Sequence, residues 1–232
     1  LPVAVGVACA CFRCVWGGGG VGWFCFFNDT ATPALSPLSL HDALPIYDLP
    51  RAAKSLNELR LDVVVFAHTA GSMVRELEYD AELVNMMEST VGCPAITTAG
   101  AVVAALTQAG VKRLALLTPY PEQMTLMEQE YLENAVPGLK VLSSRSLLVS
   151  SGLAIGDLEP QVAYRESRNI DIGQADALFL SGTNWRTMDM VQTLESDLGI
   201  PVFSANQVSM WAALNRLGIP ARPGYGSLMD QI

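Results

Sequence analysis

No run of Lys and Arg occurs anywhere in this chain of 232 residues, which carries 14 basic against 23 acidic side chains and a formal net charge of −9. Nucleic-acid binding requires a clustered basic surface, so that class is excluded. Histidine is nearly absent: His41 and His68 are the only two, too few for a multi-histidine metal site. Intrinsic disorder is excluded from the other side, because half of the residues are hydrophobic and can form a packed core. The length suits one large domain or two lobes of about 100 residues each. Chemistry on a small molecule, or its mere binding, passes this screen.

Charge is missing locally as well. Residues 1–46 hold three charged residues (Arg13, Asp29, Asp42) but four of the five cysteines (Cys9, Cys11, Cys14, Cys25). Leu1–Phe27 has the length of a membrane span. Arg13 and the Gly17–Gly20 run interrupt it, however, and no charged flank orients it. A signal peptide needs a basic region ahead of its apolar part, and none is present. Gly17, Gly19 and Gly22 match a G-x-G-x-x-G spacing, but Trp23-Phe24-Cys25-Phe26-Phe27 is a poor helix start with no acidic partner at the right distance. Phe26–Thr32 and Ser39–Ile46 resemble translated sequencing-adaptor DNA. Residues 1–46 are therefore read as a non-native segment with no domain and no function. The first lobe is then expected to be truncated, with open strand edges and poor solubility.

From Tyr47 onward strands alternate with helices. Leu61–Ala67 is a continuous apolar, β-branched run, as in a strand buried on both faces. Gly71–Thr90 carries Val74, Leu77, Ala81 and Val84 at helical spacing, and Ala99–Ala109 reads as a helix closed by Gly110. Arg113–Thr118 is a strand, and Pro121 opens a helix with Met124, Met127 and Tyr131 on one face. Lys140–Val149 is extended, Leu158–Asn169 helical, and Asp176–Ser181 a second buried strand. Thr187–Leu198 is a helix ended by Gly199, Pro201–Ser204 a short strand, and Gln207–Leu217 a helix ended by Gly218. Such alternation implies right-handed βαβ crossovers and mainly parallel sheets.

The chain also repeats itself. Asp62–Ser72 lies over Asp176–Arg186 without a gap. Gly92–Thr98, with its trailing Ala104-Ala105-Leu106, lies over Gly199–Ala205 and Ala212-Ala213-Leu214 with a one-residue adjustment. The expected fold is α/β: two pseudo-symmetric Rossmann-like lobes with parallel sheets and a cleft between them. Residues 47–97 and 205–232 would form lobe 1, and 98–204 lobe 2. His68 and Gly182 then stand at equivalent strand ends, where ligands of open α/β sheets bind. The Thr69–Ser72 and Thr183–Thr187 segments lead into helix N-termini, which favour carboxylate or phosphate. Two such sites flanking one cleft suit a small dicarboxylate.

These motifs resemble the aspartate/glutamate racemase superfamily, most nearly its maleate cis-trans isomerases and arylmalonate decarboxylase-like members. Ala67-His68-Thr69-Ala70-Gly71-Ser72 is similar to that group's A-C-T-S-G-S element. Ser181-Gly182-Thr183-Asn184-Trp185-Arg186 is similar to its S-C-T-N-x-R element. Leu117-Thr118-Pro119-Tyr120 is similar to the segment whose tyrosine contacts the substrate. The resemblance runs from about Asp48 to Gly218. It implies a cytoplasmic, homodimeric enzyme that uses no cofactor, touches neither membrane nor nucleic acid, and sets two facing cysteines across a small maleate- or malonate-like dicarboxylate. It also implies substrate contacts from Thr69, Ser72, Thr118, Tyr120, Thr183 and Asn184.

The departures fall at the chemistry. His68 occupies the first cysteine position and Gly182 the second. The remaining cysteine, Cys93, precedes a proline at the start of a short strand and reads as a buried apolar residue. Members that decarboxylate keep one cysteine and carry Gly at the other site, so the loss of both thiols is the unusual part. His68 becomes the candidate acid or base. With Gly182 opposite, protonation from one face, as in decarboxylation or lyase chemistry, is favoured over racemisation. The alternative is an inactive homologue that only binds a small carboxylate ligand. Trp185 and Arg186 are lesser candidates for substrate contact. Met86, Met87, Met124 and Met127 read as core filling, and Glu128, Glu130 and Glu133 as an exposed helix face.

Overall fold

The computed structural model describes residues 8–15, 21–28, 49–56, 61–73 and 77–231; His41 and Val74 lie outside them. The elements, in chain order, are β1 (Ala8–Val15), β2 (Val21–Asn28), α1 (Leu49–Leu56), β3 (Val63–Phe66), α2 (Thr69–Met73), α3 (Leu77–Val91), β4 (Ala95–Thr97) and α4 (Thr98–Gln108). They continue as β5 (Arg113–Thr118), α5 (Glu122–Ala135), β6 (Lys140–Ser146), α6 (Gly152–Gly156), α7 (Pro160–Ser167), β7 (Ala177–Leu180), α8 (Val191–Leu198), β8 (Val202–Ser204) and α9 (Ala205–Leu217). Two four-stranded sheets result, ordered β1-β2-β3-β4 and β6-β5-β7-β8. Every pairing is parallel except β1 with β2. The expected α/β fold with two parallel-sheet lobes is what forms.

Residues 1–46 were expected to contribute no domain, yet β1 and β2 extend the first sheet. Phe24 to Phe27 run in parallel register with Val63 to Phe66. A strand edge with unpaired N–H and C=O groups is costly, and two apolar runs with five aromatic residues between them supply the partner.

Alternation along the strands divides the core into three layers. Val63 and Val65 of β3, Leu114 and Leu116 of β5, and Ala177 and Phe179 of β7 face one shared cluster, filled by α4 and α9. Val64 and Phe66 face α1 and α3 instead. Leu117, Leu178 and Leu180 face a third cluster with Trp185, Val191 and Leu194. One helical layer thus lies between the inner faces of both sheets, and the lobes are pinned across it. The Thr98 and Ser209 hydroxyls meet at 3.1 Å where α4 and α9 cross.

Both central helices start from a hydroxyl cap at equivalent repeat positions. Thr97 Oγ1 accepts the Gly100 N–H at 3.0 Å, and Ser204 Oγ accepts the Gln207 N–H at 3.2 Å in a full capping box. Gly199 and Gly218 close α8 and α9 in left-handed conformation, as their positions after apolar helices predict. The expected single helix over Gly71–Thr90 is two, α2 and α3. Among the described residues no helix is long and apolar enough to cross a membrane.

Because Phe179 is fully buried in the layer both sheets share, Phe179→Ala is expected to cost roughly 3–5 kcal/mol of unfolding free energy. Urea denaturation checks this. A cost under about 1 kcal/mol would contradict the shared-layer description.

Candidate functional site

The carboxyl ends of β3 and β7 meet. Thr183 Oγ1, just past β7, donates to the Ala67 carbonyl, just past β3, at 2.8 Å. This bond joins the lobes where sequence reasoning placed His68 and Gly182 opposite each other.

His68 is half-buried and held on several sides. Its Nδ1 accepts the Gly71 N–H at 2.6 Å. Its carbonyl accepts the Ser72 N–H at 3.1 Å and the Ser72 hydroxyl at 2.9 Å. The ring stacks on Phe66 with centroids 5.8 Å apart. Gly71 leaves room here, since a Cβ at that position would collide with His68 Nδ1. With Nδ1 accepting, the neutral ring carries its proton on Nε2.

Gly182 has φ +97°, where a side chain is strained. A Cβ there would stand 3.0 Å from Pro119 Cγ and 3.5 Å from the Tyr120 hydroxyl oxygen. A glycine codon is one base from a cysteine codon, but this backbone and its neighbours fit glycine. Tyr120 is buried, and its hydroxyl is held protonated, well above the ordinary phenol range, by burial first and by Glu128 second. Weaker contributions from Thr69, Ser181 and the Ala70 N–H act the opposite way.

Glu128 is the principal correction to the sequence reading. Glu130 is exposed as expected and Glu133 half-buried, but Glu128 retains 3% exposure. Its Oε2 accepts the Ser181 hydroxyl at 2.9 Å, and its Oε1 is buried without a hydrogen-bond partner. Burial pushes the carboxyl up to about 8, with Ser181 opposing the shift. A signal existed: the buried positions of α5 are Thr125, Glu128, Tyr131 and Leu132. The spacing puts Glu128 inside the core stripe, and its charge alone argued otherwise. A small pocket beside it is lined by Ala70, Met73, Tyr120, Met124 and Met127.

The expected substrate contacts divide. Thr69, Tyr120, Thr183 and Asn184 gather at the join with His68 and Gly182. Thr69 Oγ1 and Asn184 Oδ1 are buried and unpartnered, while Asn184 Nδ2 reaches the Gly152 carbonyl at 3.5 Å. Ser72 and Thr118 are fully interior. Ser72 Oγ receives the Ala99 N–H at 3.2 Å besides donating to His68. Thr118 Oγ1 pairs with Thr125 Oγ1 at 2.5 Å. Both hydroxyls support the strand ends rather than face the cleft.

The expected helix N-terminus at Thr183–Thr187 does not form. The chain turns, passes a short 3-10 segment at Met188–Met190 and enters α8 only at Val191. Trp185 causes this: its side chain is fully buried, and its carbonyl accepts Asn206 Nδ2 at 2.8 Å, so the chain dives inward first. On the opposite side α2 has five residues, and its Gly71 N–H is already taken by His68. Arg186 is exposed and pairs with exposed Glu159 at 3.7 Å. Cys93 sits before β4, at the end of the parallel sheet away from the join, and burial, Asp62 and Glu88 push its thiol up. Met87 is core. Among the described residues no group of three His, Cys, Asp or Glu side chains is placed to hold a metal ion.

In two-lobed α/β proteins, converging strand ends with buried, unpartnered polar atoms are where small-molecule sites are built. The chain belongs to the arylmalonate decarboxylase family, whose profile matches residues 44–229, and its relatives in that family are enzymes. It is 29% identical over 187 residues to a maleate isomerase of Geobacillus stearothermophilus, covering 78% of this chain and 74% of that one. An arylmalonate decarboxylase of Bordetella bronchiseptica is 28% identical over 192 residues, covering 77% and 75%. Among solved structures, a mutant Nocardia farcinica maleate cis-trans isomerase with a covalently bound succinylcysteine intermediate superposes with a TM-score of 0.77. That match is 25% identical and covers 88% of this chain and 85% of that one.

Restoring a thiol at the second strand end is therefore expected to be costly. Gly182→Cys forces a side chain at φ +97° against Pro119 and is expected to lose about 1–3 kcal/mol. Thermal melting beside the parent protein checks this, and an unchanged melting temperature would contradict the strain.

Proposed function

We propose that this protein is a cofactor-independent enzyme acting on a small, malonate-like dicarboxylate, and that its chemistry is decarboxylation rather than cis-trans isomerisation. The observation that carries the reading is the joined pair of strand ends, with His68 and Gly182 where the family's two cysteines are expected. The related Nocardia farcinica isomerase is described with a succinylcysteine intermediate. Among the residues whose side chains are described, no cysteine stands at the join here, so an adduct of that kind has no thiol on which to form. Loss of CO2 needs no nucleophile. It needs stabilisation of the electron pair left on the α-carbon, and a proton to replace the departing carboxyl.

The donors at the join suit that demand. Thr69 and the Ala70 N–H hold one carboxylate, with Tyr120 closing the wall, and Asn184 Nδ2, which reaches the Gly152 carbonyl only at 3.5 Å, turns to the other, while the Thr183 hydroxyl stays on the Ala67 carbonyl. As CO2 leaves, the remaining carboxylate becomes an enediolate, and fixed donors stabilise its charge. His68 contributes its Nε2–H to that charge. Action as a base at Nδ1 would require breaking the 2.6 Å bond from Gly71. The replacing proton enters from one face, because the two strand ends are unlike.

The test is turnover of the purified chain on a panel of aryl- and alkylmalonates and on maleate. CO2 release from malonates without fumarate from maleate is expected, and His68→Ala is expected to lose roughly 100-fold in turnover, the scale of one lost oxyanion donor. Ligand binding without turnover, or maleate isomerised as fast as any malonate is decarboxylated, would overturn the proposal.

A further inference from the structure

Thr183 and Asn184, just past β7, are the central pair of a four-residue turn, which the Trp185 N–H closes by donating to the Gly182 carbonyl at 3.2 Å. One end of the turn is tied by the Thr183 hydroxyl to the Ala67 carbonyl. The other end is Trp185, and no helix continues directly from it, since α8 begins only at Val191. Two things hold that end. One is the buried Trp185 ring. The other is Asn206, in the first turn of α9, whose Nδ2 donates to the Trp185 carbonyl at 2.8 Å.

Asn206 sits on a helix that reaches both halves of the join. One turn along α9 the Ser209 hydroxyl meets that of Thr98 at 3.1 Å, and the Thr98 hydroxyl lies 3.3 Å from the Phe66 carbonyl. Phe66 ends β3, and its carbonyl also accepts the His68 N–H at 3.1 Å. Residues three apart share a helix face. One face of α9 is therefore bonded to the Gly182 turn at Asn206 and, through Ser209 and Thr98, to the end of β3 just ahead of His68. The register between the two strand ends is set twice, directly by Thr183 and again through α9.

Taking the dicarboxylate reading above as its basis, we propose that Asn206 is a positioning residue for the substrate: by fixing the Trp185 carbonyl it aims Asn184 at the second carboxylate. Three features favour this role over simple packing. The Trp185 carbonyl already accepts the Thr187 N–H at 2.9 Å, so Asn206 is not needed to satisfy it and instead fixes its direction. The start of α9 is capped by Ser204 and Gln207, and Asn is a poorer helix former than Ala or Leu, so the helix does not require it either. Asn184 does require aiming. Its Oδ1 is buried and unpartnered and its Nδ2 reaches the Gly152 carbonyl only at 3.5 Å, so the direction of its side chain follows its backbone.

The test is the affinity of the full chain for dimethylmalonate and for isobutyrate, which differ by one carboxylate, measured by titration calorimetry. Dimethylmalonate has no aryl group to spread an electron pair on its α-carbon and stays intact during the titration. The parent protein is expected to bind the dicarboxylate more tightly. Asn206→Ala is expected to weaken dimethylmalonate about 10-fold, the scale of one displaced hydrogen bond to a charged group, and to leave isobutyrate unchanged. Asn206→Leu, which keeps the bulk, is expected to do the same. Neutral replacements are used because an added carboxylate would itself repel a dianion. In an Asn184→Ala background Asn206→Ala is expected to cost nothing further, because it acts through Asn184. Folded variants that weaken both ligands alike, or neither, would overturn the positioning role alone. A parent protein that binds neither acid, or both equally, would overturn the dicarboxylate reading as well. Turnover of arylmalonates is read separately, and its absence would overturn the decarboxylation while the affinity comparison still decides the role of Asn206.

Discussion

The hydrogen bond from Thr183 to the Ala67 carbonyl spans 116 positions of sequence and ties the two strand ends together. It holds at 2.8 Å because the lobes are already fixed by a shared layer of helices, with α4 and α9 between the inner faces of the two sheets. Rigid strands and one common core leave the strand ends little freedom, and a site assembled from their termini inherits that order. The supporting hydroxyls of Ser72 and Thr118 extend the same logic inward: each spends its hydrogen bonds on the backbone or on another hydroxyl beneath the site.

Around that join His68 and Gly182 stand where the family resemblance implies two cysteines. Glycine at 182 has a backbone and neighbours suited to glycine. Histidine at 68 is locked through Nδ1 by a glycine that leaves it room. The phenol and carboxyl behind the second strand end are both held in their neutral forms by burial. Neutral donors suit stabilisation of a developing enediolate and delivery of one proton. They do not suit addition of a nucleophile to a double bond. These features are what the proposed decarboxylation rests on, and the fold is shared with maleate isomerases and arylmalonate decarboxylase.

The lobes, the parallel sheets and the equivalence of the strand ends were legible because they rest on periodicity, β-branched runs and glycine stops, which are local signals. Leu61–Ala67 and Asp176–Ser181 read as strands buried on both faces, and the strands Val63–Phe66 and Ala177–Leu180 within them are. What the sequence concealed depends on tertiary placement. Glu128 looked solvated because charged residues usually are, yet it occupies the same stripe as Thr125 and Leu132. Thr183–Thr187 looked like a helix start, but the burial of Trp185 outweighed local propensity. Ser72 and Thr118 looked like ligands from their place in the motifs, and only the packed structure shows both hydroxyls already engaged. The strands at 8–15 and 21–28 fall in a segment read as foreign and pair along the edge of Val63–Phe66.

The central claim is a thiol-free site that protonates its substrate from one face. It is tested most directly by decarboxylating a prochiral α-methyl-α-arylmalonate in deuterated water and resolving the monocarboxylate by chiral chromatography with deuterium counting. The account predicts one enantiomer carrying a single deuterium at the α-carbon. Racemic product, or deuterium exchanged into added product from both faces, would contradict it.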